Sequence, residues 1–239
     1  MKSLKNTKTM ENLMKAFAGE SQARTRYNFY ASVANKEGYR QIEAIFNETA
    51  DNEKEHAKRF YKFLLEGLNG ELPASIMINA DYPVAYGNTL DNLKAAAAGE
   101  NEEWTKLYPE FAKVAKEEGF DEIAAAFTKI AEVEQRHEAR YKKLAENIEN
   151  NKVFNKDEKV LWKCRNCGYV HEGNSAPENV RHVLIQKHFS KCWQKIINLC
   201  ILKFILSLKY ISSVAKTSKS GNFTRICFCI LRTKKFLTS

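Results

Sequence analysis

Glu53-Lys54-Glu55-His56 and Glu134-Gln135-Arg136-His137 decide the fold of this chain. Each lies in a long charged stretch of helical character. There, positions i and i+3 share a face about one turn apart, so a carboxylate and an imidazole in each copy can reach the same metal ion. A single Glu-x-x-His means little, because a solvated acid beside a surface histidine is common. The surroundings of this pair, however, are also present twice.

Ala18-Gly19-Glu20 matches Ala98-Gly99-Glu100, and the segment Tyr27 to Ala34 matches Tyr108 to Ala115. Gly38, Phe46, Glu53 and His56 match Gly119, Phe127, Glu134 and His137, at an offset of 80 residues that becomes 81. From Thr9 to Lys36 the apolar residues Leu13, Phe17, Ala18, Tyr27, Tyr30, Val33 and Ala34 recur at helical spacing. The predicted helices run from about Thr9 to Lys36, Tyr39 to Leu68, Thr89 to Glu118 and Asp121 to Asn150. Gly38 and Gly119 act as stops, and residues 71–88, with Pro73, Pro83 and Gly87, form a long connection.

A repeated helix pair joined by a long crossover describes an all-α fold, a four-helix bundle with an approximate internal twofold. Ferritin-like di-iron carboxylate bundles take one Glu from each of two helices and Glu-x-x-His from each of the other two. The residues with that pattern here are Glu20, Glu100, Glu53 with His56, and Glu134 with His137. Oxygen and imidazole donors without thiolate suit iron or manganese rather than structural zinc. Glu53 and Glu134 can bridge two ions about 3.5–4 Å apart.

Glu103 breaks the symmetry. Its counterpart is Gln22 or Ala23, depending on the offset, and it stands at i+3 from Glu100 on the same face. Surface charge beside Glu102 is one account of it; the other is a seventh ligand for a six-ligand site, which allows ligand exchange as the metal charge changes.

Ala98-Gly99-Glu100-x-x-Glu103 followed by Tyr108-Pro109, the two Glu-x-x-His motifs, and Trp162-Lys163-Cys164-Arg165-Asn166-Cys167-Gly168-Tyr169-Val170-His171-Glu172-Gly173 together resemble the rubrerythrin family over about residues 1–178. The resemblance implies a peroxidase with two non-haem irons that reduces hydrogen peroxide to water in oxidative stress protection. One iron would move between a histidine and the extra glutamate, which by motif are His56 and Glu103. Tyr27 and Tyr108 would be the tyrosines hydrogen-bonding near the site, with ordinary core aromatics as the alternative. The resemblance further implies a homodimer. Electrons would arrive from reduced rubredoxin or an NAD(P)H-linked reductase through a rubredoxin-type iron held by four cysteines. The alternative function is a ferritin-like iron-binding or ferroxidase protein, which needs neither an electron relay nor a seventh ligand.

Cys164-x-x-Cys167-Gly is half of such a tetrathiolate knuckle, and alone it is equally half of a zinc ribbon. The second Cys-Pro-x-Cys expected after Ala176-Pro177 is absent, and Cys192, Cys200, Cys227 and Cys229 have neither its position nor its neighbours. Regrouping the codons from Asn179 onward by one base permits Cys-Pro-Pro-Cys-Ala-His-Pro-Lys-Ala-Phe-Phe-Glu, and then, through Asn198, Val-Leu-Ala-Glu-Asn-Tyr and a stop. The expected organisation is therefore a bundle over 1–150, a linker over 151–160, a truncated rubredoxin-like module over 161–179, and an irregular or disordered out-of-frame tail over 180–239. With two cysteines alone, 161–179 should be poorly ordered and the tail should not pack on the bundle in one defined way.

Charge agrees with this division. The chain of 239 residues carries a net +9, yet residues 180–239 hold 12 Lys and Arg and no acid, which leaves 26 basic against 29 acidic residues before them, a net of −3. A basic tail evolved to bind nucleic acid or membrane is the rival account of those residues; the body is mildly acidic, and neither partner is expected. Met1 to Met10 lacks an apolar h-region, and the longest apolar run, Ile196 to Leu208, contains Lys203 and is shorter than the ~20 residues that span a bilayer. A cytoplasmic protein without a transmembrane segment is expected.

Overall fold

A computed structural model describes residues 2–180 and 185–193. Four long helical segments form the bundle: α1 (Lys8–Lys36), α2 (Arg40–Gly67), a third that runs α3 (Thr89–Glu102), a π-helical turn (Glu103–Leu107) and α4 (Tyr108–Glu117), and α5 (Asp121–Glu149). Among the described residues no helix is long and apolar enough to cross a membrane.

The helix ends show why the repeat is a fold and not a coincidence of composition. Gly38 and Gly119 have φ of 83° and 81°, a left-handed conformation that glycine adopts without a Cβ clash. Around them Tyr39 N–H donates to Ala34 O and Phe120 N–H to Ala115 O, closing both helices in the same way. The acid before each glycine then reaches the other half. Glu118 accepts from the backbone N–H groups of Lys8 and Thr9 and from the Thr9 hydroxyl, and Glu37 accepts from Thr89 N–H. Each half thus satisfies open amides at the start of the other half's first helix. Thr7 and Asn88 complete those caps through bonds from the amides of Met10 and Asp91.

The core consists of two apolar clusters. One gathers Leu13, Phe60, Phe63, Tyr108, Phe111 and Phe127, and the other Tyr27, Tyr30, Phe46, Leu93 and Tyr141. Seven residues bring a helix back to nearly the same face, so Phe46 and Phe60 flank Glu53 on α2 while Phe127 and Tyr141 flank Glu134 on α5. The rings of Phe60 and Phe127 stack with centroids 4.9 Å apart, and those of Phe46 and Tyr141 lie at 5.2 Å. Each such fully buried aromatic contributes roughly 1.5–3 kcal/mol. Two aromatic layers therefore enclose one layer of acids and imidazoles.

The crossover over residues 71–88 is a strap without helix or strand. It is tied to α1 by two tyrosine hydroxyls, Tyr82 donating to Lys15 O at 3.0 Å and Tyr30 to Ala85 O at 2.8 Å.

After α5 come strands β1 (Asn155–Cys164), β2 (Val170–Ser175), β3 (Asn179–Val180), β4 (Ile185–Gln186) and β5 (Ser190–Trp193). β2, β1 and β5 form an antiparallel sheet in that order, and β3 pairs with β4. Two expectations are corrected here. Residues 161–175 are not poorly ordered: the β1–β2 ladder and the buried Trp162, whose indole N–H donates to Gly173 O at 2.9 Å, organise them without four thiolates. Residues 187–193 do pack in one defined way. Trp162 and Cys164 pair with Cys192 and Ser190, the Arg40 guanidinium lies 5.0 Å from the Phe189 ring, and His188 sits against Gly38. The remainder of the predicted tail, residues 181–184 and 194–239, lies outside the described residues.

Candidate metal centre

Six of the predicted ligands meet in the acid layer, in two groups whose donor atoms all lie within 4.8 Å of one another. One group is Glu20, Glu53, His56 and Glu134, and the other is Glu53, Glu100, Glu134 and His137. Glu53 and Glu134 belong to both. His56 Nδ1 lies 3.0 Å from Glu53 Oε2 and 2.9 Å from Glu134 Oε1, while His137 Nδ1 lies 3.3 Å from Glu53 Oε1 and 2.8 Å from Glu134 Oε2. Each shared carboxylate thus offers one oxygen to each imidazole, the arrangement a bridging ligand requires. Glu20 Oε1 and Glu100 Oε2 close the two groups, at 3.8 and 3.7 Å from the respective Nδ1.

These approaches are short, but they are not hydrogen bonds. Both oxygens of Glu53 and Glu134, Oε2 of Glu100 and both Nδ1 atoms are buried with no hydrogen-bond partner. The four glutamates are at most 1% exposed. Ionised carboxylates taken out of water without partners cost many kcal/mol, and lone pairs that converge without pairing fit a pair of hard cations. The donor set, with no thiolate, fits iron.

The electrostatics describe the same demand. Burial, reinforced by Glu53 and Glu134, holds Glu20 up at about 8 although His56 opposes it, and burial with Glu53 pushes Glu100 well above the carboxylate range. Burial works against Glu134 as well, but His137 and His56 outweigh it and draw its carboxyl down to about 2. His137, despite burial, is raised to about 12 by Glu100, Glu134 and Glu53, and His56 is raised by Glu134, Glu20 and Glu53. The layer thus retains protons on several groups, and cation binding there releases them.

Tyr27 and Tyr108 are core aromatics and also partners of the centre. The Tyr27 hydroxyl donates to Glu100 Oε1 at 2.6 Å, and the Tyr108 hydroxyl to Glu20 Oε1. These bonds cross between the halves and are related by the same twofold. Burial, followed by the charge of Glu100 and of Glu20 respectively, raises both phenols well above 10.

Glu103 departs from the expectation of seven converging ligands. It belongs to neither group. It is half-buried on the first residue of the π turn, and burial with the charges of Glu20, Glu100, Glu134 and Glu53 raises its carboxyl. A cavity of about 370 Å³ opens beside it, bounded also by Tyr108, Gly19, Gly99, Arg26 and Tyr82. The π turn accounts for the repeat offset. Tyr108 N–H donates to Glu103 O, five residues back, so the third segment holds one more residue than α1 between Glu100 and Tyr108. The step from 80 to 81 was the signal for it.

The sequence reading missed Glu138, which is 4% exposed and accepts from Asn101 Nδ2 and Trp104 Nε1. Its signal was an acid standing where the first half has Ala57.

In the strand module Cys164 is buried and Cys167 exposed on a turn closed by Gly168, with φ of 80°, and by Gly168 N–H donating to Cys164 O. Among the described residues no third cysteine or histidine joins them in a ligand group. Cys192 pairs with Trp162, two positions before Cys164, and His188 faces Gly38. The described residues therefore do not fit a four-cysteine iron.

The family model described as Rubrerythrin matches residues 11–145, and that described as Rubrerythrin, rubredoxin-like domain, matches residues 162–179. Rubrerythrin-1 of Clostridium acetobutylicum is 64% identical over 179 residues, covering 74% of this chain and 90% of that protein. Rubrerythrin of Nitratidesulfovibrio vulgaris is 50% identical over the same length and shares. Among solved structures, partially reduced nigerythrin is similar at a TM-score of 0.52 and 29% identity, covering 80% of this chain and 92% of that one. The second family match stops at residue 179, where the regrouped reading frame begins.

Proposed function

The chain belongs to the rubrerythrin family, a family of di-iron proteins, and from that premise we propose that it is a peroxidase reducing hydrogen peroxide to water. The balance is one O–O bond broken, two electrons and two protons consumed, and two waters formed. The electrons would come from reduced rubredoxin or an NAD(P)H-linked reductase.

The observation that carries this reading is an asymmetry of the centre: a half-buried carboxylate, Glu103, outside both ligand groups and on the wall of a cavity. A storage site has no need of it. We take Glu20, Glu53, His56 and Glu134 as ligands of one iron, and Glu53, Glu100, Glu134 and His137 as ligands of the other. Bound iron supplies electron transfer and Lewis acidity. Glu53 and Glu134 keep the two positions adjacent, while the hydroxyls of Tyr27 and Tyr108 fix the oxygens of Glu100 and Glu20 that they bond. The aromatic layers exclude water from above and below. Glu103 would be the carboxylate that exchanges with His56 as the oxidation state of the bound iron changes.

The test is a single-turnover comparison. Iron-loaded, chemically reduced protein is mixed with stoichiometric hydrogen peroxide, and separately given excess ferrous iron and dioxygen. Fast oxidation by peroxide without iron accumulating beyond about two per chain is expected. Glu103→Gln should slow the peroxide reaction by roughly ten-fold or more, the scale of one lost charge-assisted contact, with both irons retained. Mineral accumulation without peroxide consumption would replace this reading with a ferroxidase.

A further inference from the structure

We propose that Glu138 and Trp104 are positioning residues that hold the π-helical turn open and thereby set the place of Glu103 beside the metal centre. The inference rests on the role given to Glu103 above. A π turn gives up regular i→i+4 bonding and is rare, so its persistence calls for a specific hold. Here both oxygens of one buried carboxylate supply it. Trp104 Nε1–H donates to Glu138 Oε2 at 2.6 Å, and Asn101 Nδ2–H donates to Oε1 at 2.9 Å. Asn101 and Trp104 bracket Glu103 in sequence and stand about one turn apart, so the two bonds span the point where α3 becomes the π turn. Lys142, one turn along α5, lies 2.5 Å from Oε1 and offsets the charge.

The internal repeat acts as a control within the molecule. In the first half the position of Glu138 is Ala57, also buried, and the position of Asn101 is Ser21, whose hydroxyl donates to Phe17 O of its own helix. That half has a continuous α1 across the equivalent region and no seventh carboxylate. The clamp occurs only where the helix has its additional residue. It also joins that residue's neighbour to the position after His137, so the turn is tied to the scaffold of the centre rather than to solvent.

The experiment compares Trp104→Phe, which removes the indole N–H donor and keeps a smaller aromatic ring, with Glu138→Ala, which restores the first-half residue. Amide hydrogen exchange across residues 103–108 should be about ten-fold faster or more in both, the scale of losing a charge-assisted hydrogen bond, while α1 and α2 are unchanged and iron content stays at the wild-type level. In single turnover with peroxide both variants should slow, and Glu138→Ala should add nothing to Glu103→Gln. Unchanged exchange at 103–108 in both variants overturns the proposal, as does a loss of rate that adds in full to that of Glu103→Gln. Should Glu138→Ala fail to fold, Trp104→Phe decides alone by the same two readouts. Should the wild-type chain consume no peroxide, the peroxidase reading falls, and the exchange measurement still decides the clamp.

Discussion

In the bundle, the metal-binding side chains hang on helices that layers of phenylalanine and tyrosine already hold in place. In the strand module, the two cysteines share one turn, and no described ligand stands opposite them. Six bundle residues from four separate helical segments form two groups of four, each with its donor atoms within 4.8 Å of one another, whereas Cys164 and Cys167 come from one tight turn whose sheet is organised by Trp162 and strand pairing. A scaffold folded by its own core can carry unpaired carboxylates and wait for its cations. A knuckle built by its metal cannot be completed from one side.

The contrast is broken most directly at the shared ligands. Glu53→Ala removes an oxygen donor from both groups, so iron content measured by mass spectrometry should fall from about two per chain to near zero, while Cys164→Ser should leave it unchanged. Retention of both irons by Glu53→Ala would show that the bridging assignment is wrong. Next in size is metal removal. Chelation of both irons should lower the unfolding free energy of the bundle by about 8 kcal/mol, roughly 4 for each site, relative to protein in free iron at a thousand times its dissociation constant, with the far-ultraviolet dichroism of the helices retained. Collapse of the helical signal would place the bundle in the metal-built class with the knuckle.

The module should respond the opposite way. Restoring Cys-Pro-Pro-Cys after position 179 should add about one iron per chain and a thiolate-to-iron absorption band, which the chain as written should not show. A band already present in the chain as written would overturn the frame argument. The DNA sequence across codons 175–200 tests that argument independently.

The smallest effect concerns only the bundle. Glu118→Ala should cost about 1–2 kcal/mol, since it frees two amides and a hydroxyl at the start of α1. Burial opposes its charge, but bonds from Thr9 and Lys8 outweigh burial and hold the Glu118 carboxyl below its ordinary value of 4.5. Its contribution is thus complete above 4.5 and is lost as pH falls through the lowered folded value. Denaturant titrations of wild type and variant should differ at pH 7 and converge in strong acid.

The same contrast explains what could be read from the sequence. The i, i+3 spacing is a property of a single helix and the repeat is visible in the sequence itself, and together they located the six residues that meet in the acid layer and the four helical segments. The π turn was visible only as a change of one in the repeat offset, because it follows from side chains meeting across helices, Trp104 and Asn101 on one and Glu138 on another. The strand Ser190–Trp193 was unreadable for a related reason. Its pairing with β1 depends on backbone register, and the residues there, Ser-Lys-Cys-Trp, carry no alternation to announce it.

The reciprocal turn carboxylates also bear on the order in which the chain can be completed. Glu118 reaches back 109 residues to Thr9, and Glu37 reaches forward 52 to Thr89. As the polypeptide leaves the ribosome, the first helix pair emerges with the leading amides of α1 still open to water, and they are met only after the end of α4 has been made. Neither hairpin is a finished unit that the other merely docks against. Closure of the second pair seals the first, so late synthesis and final cooperativity are one event.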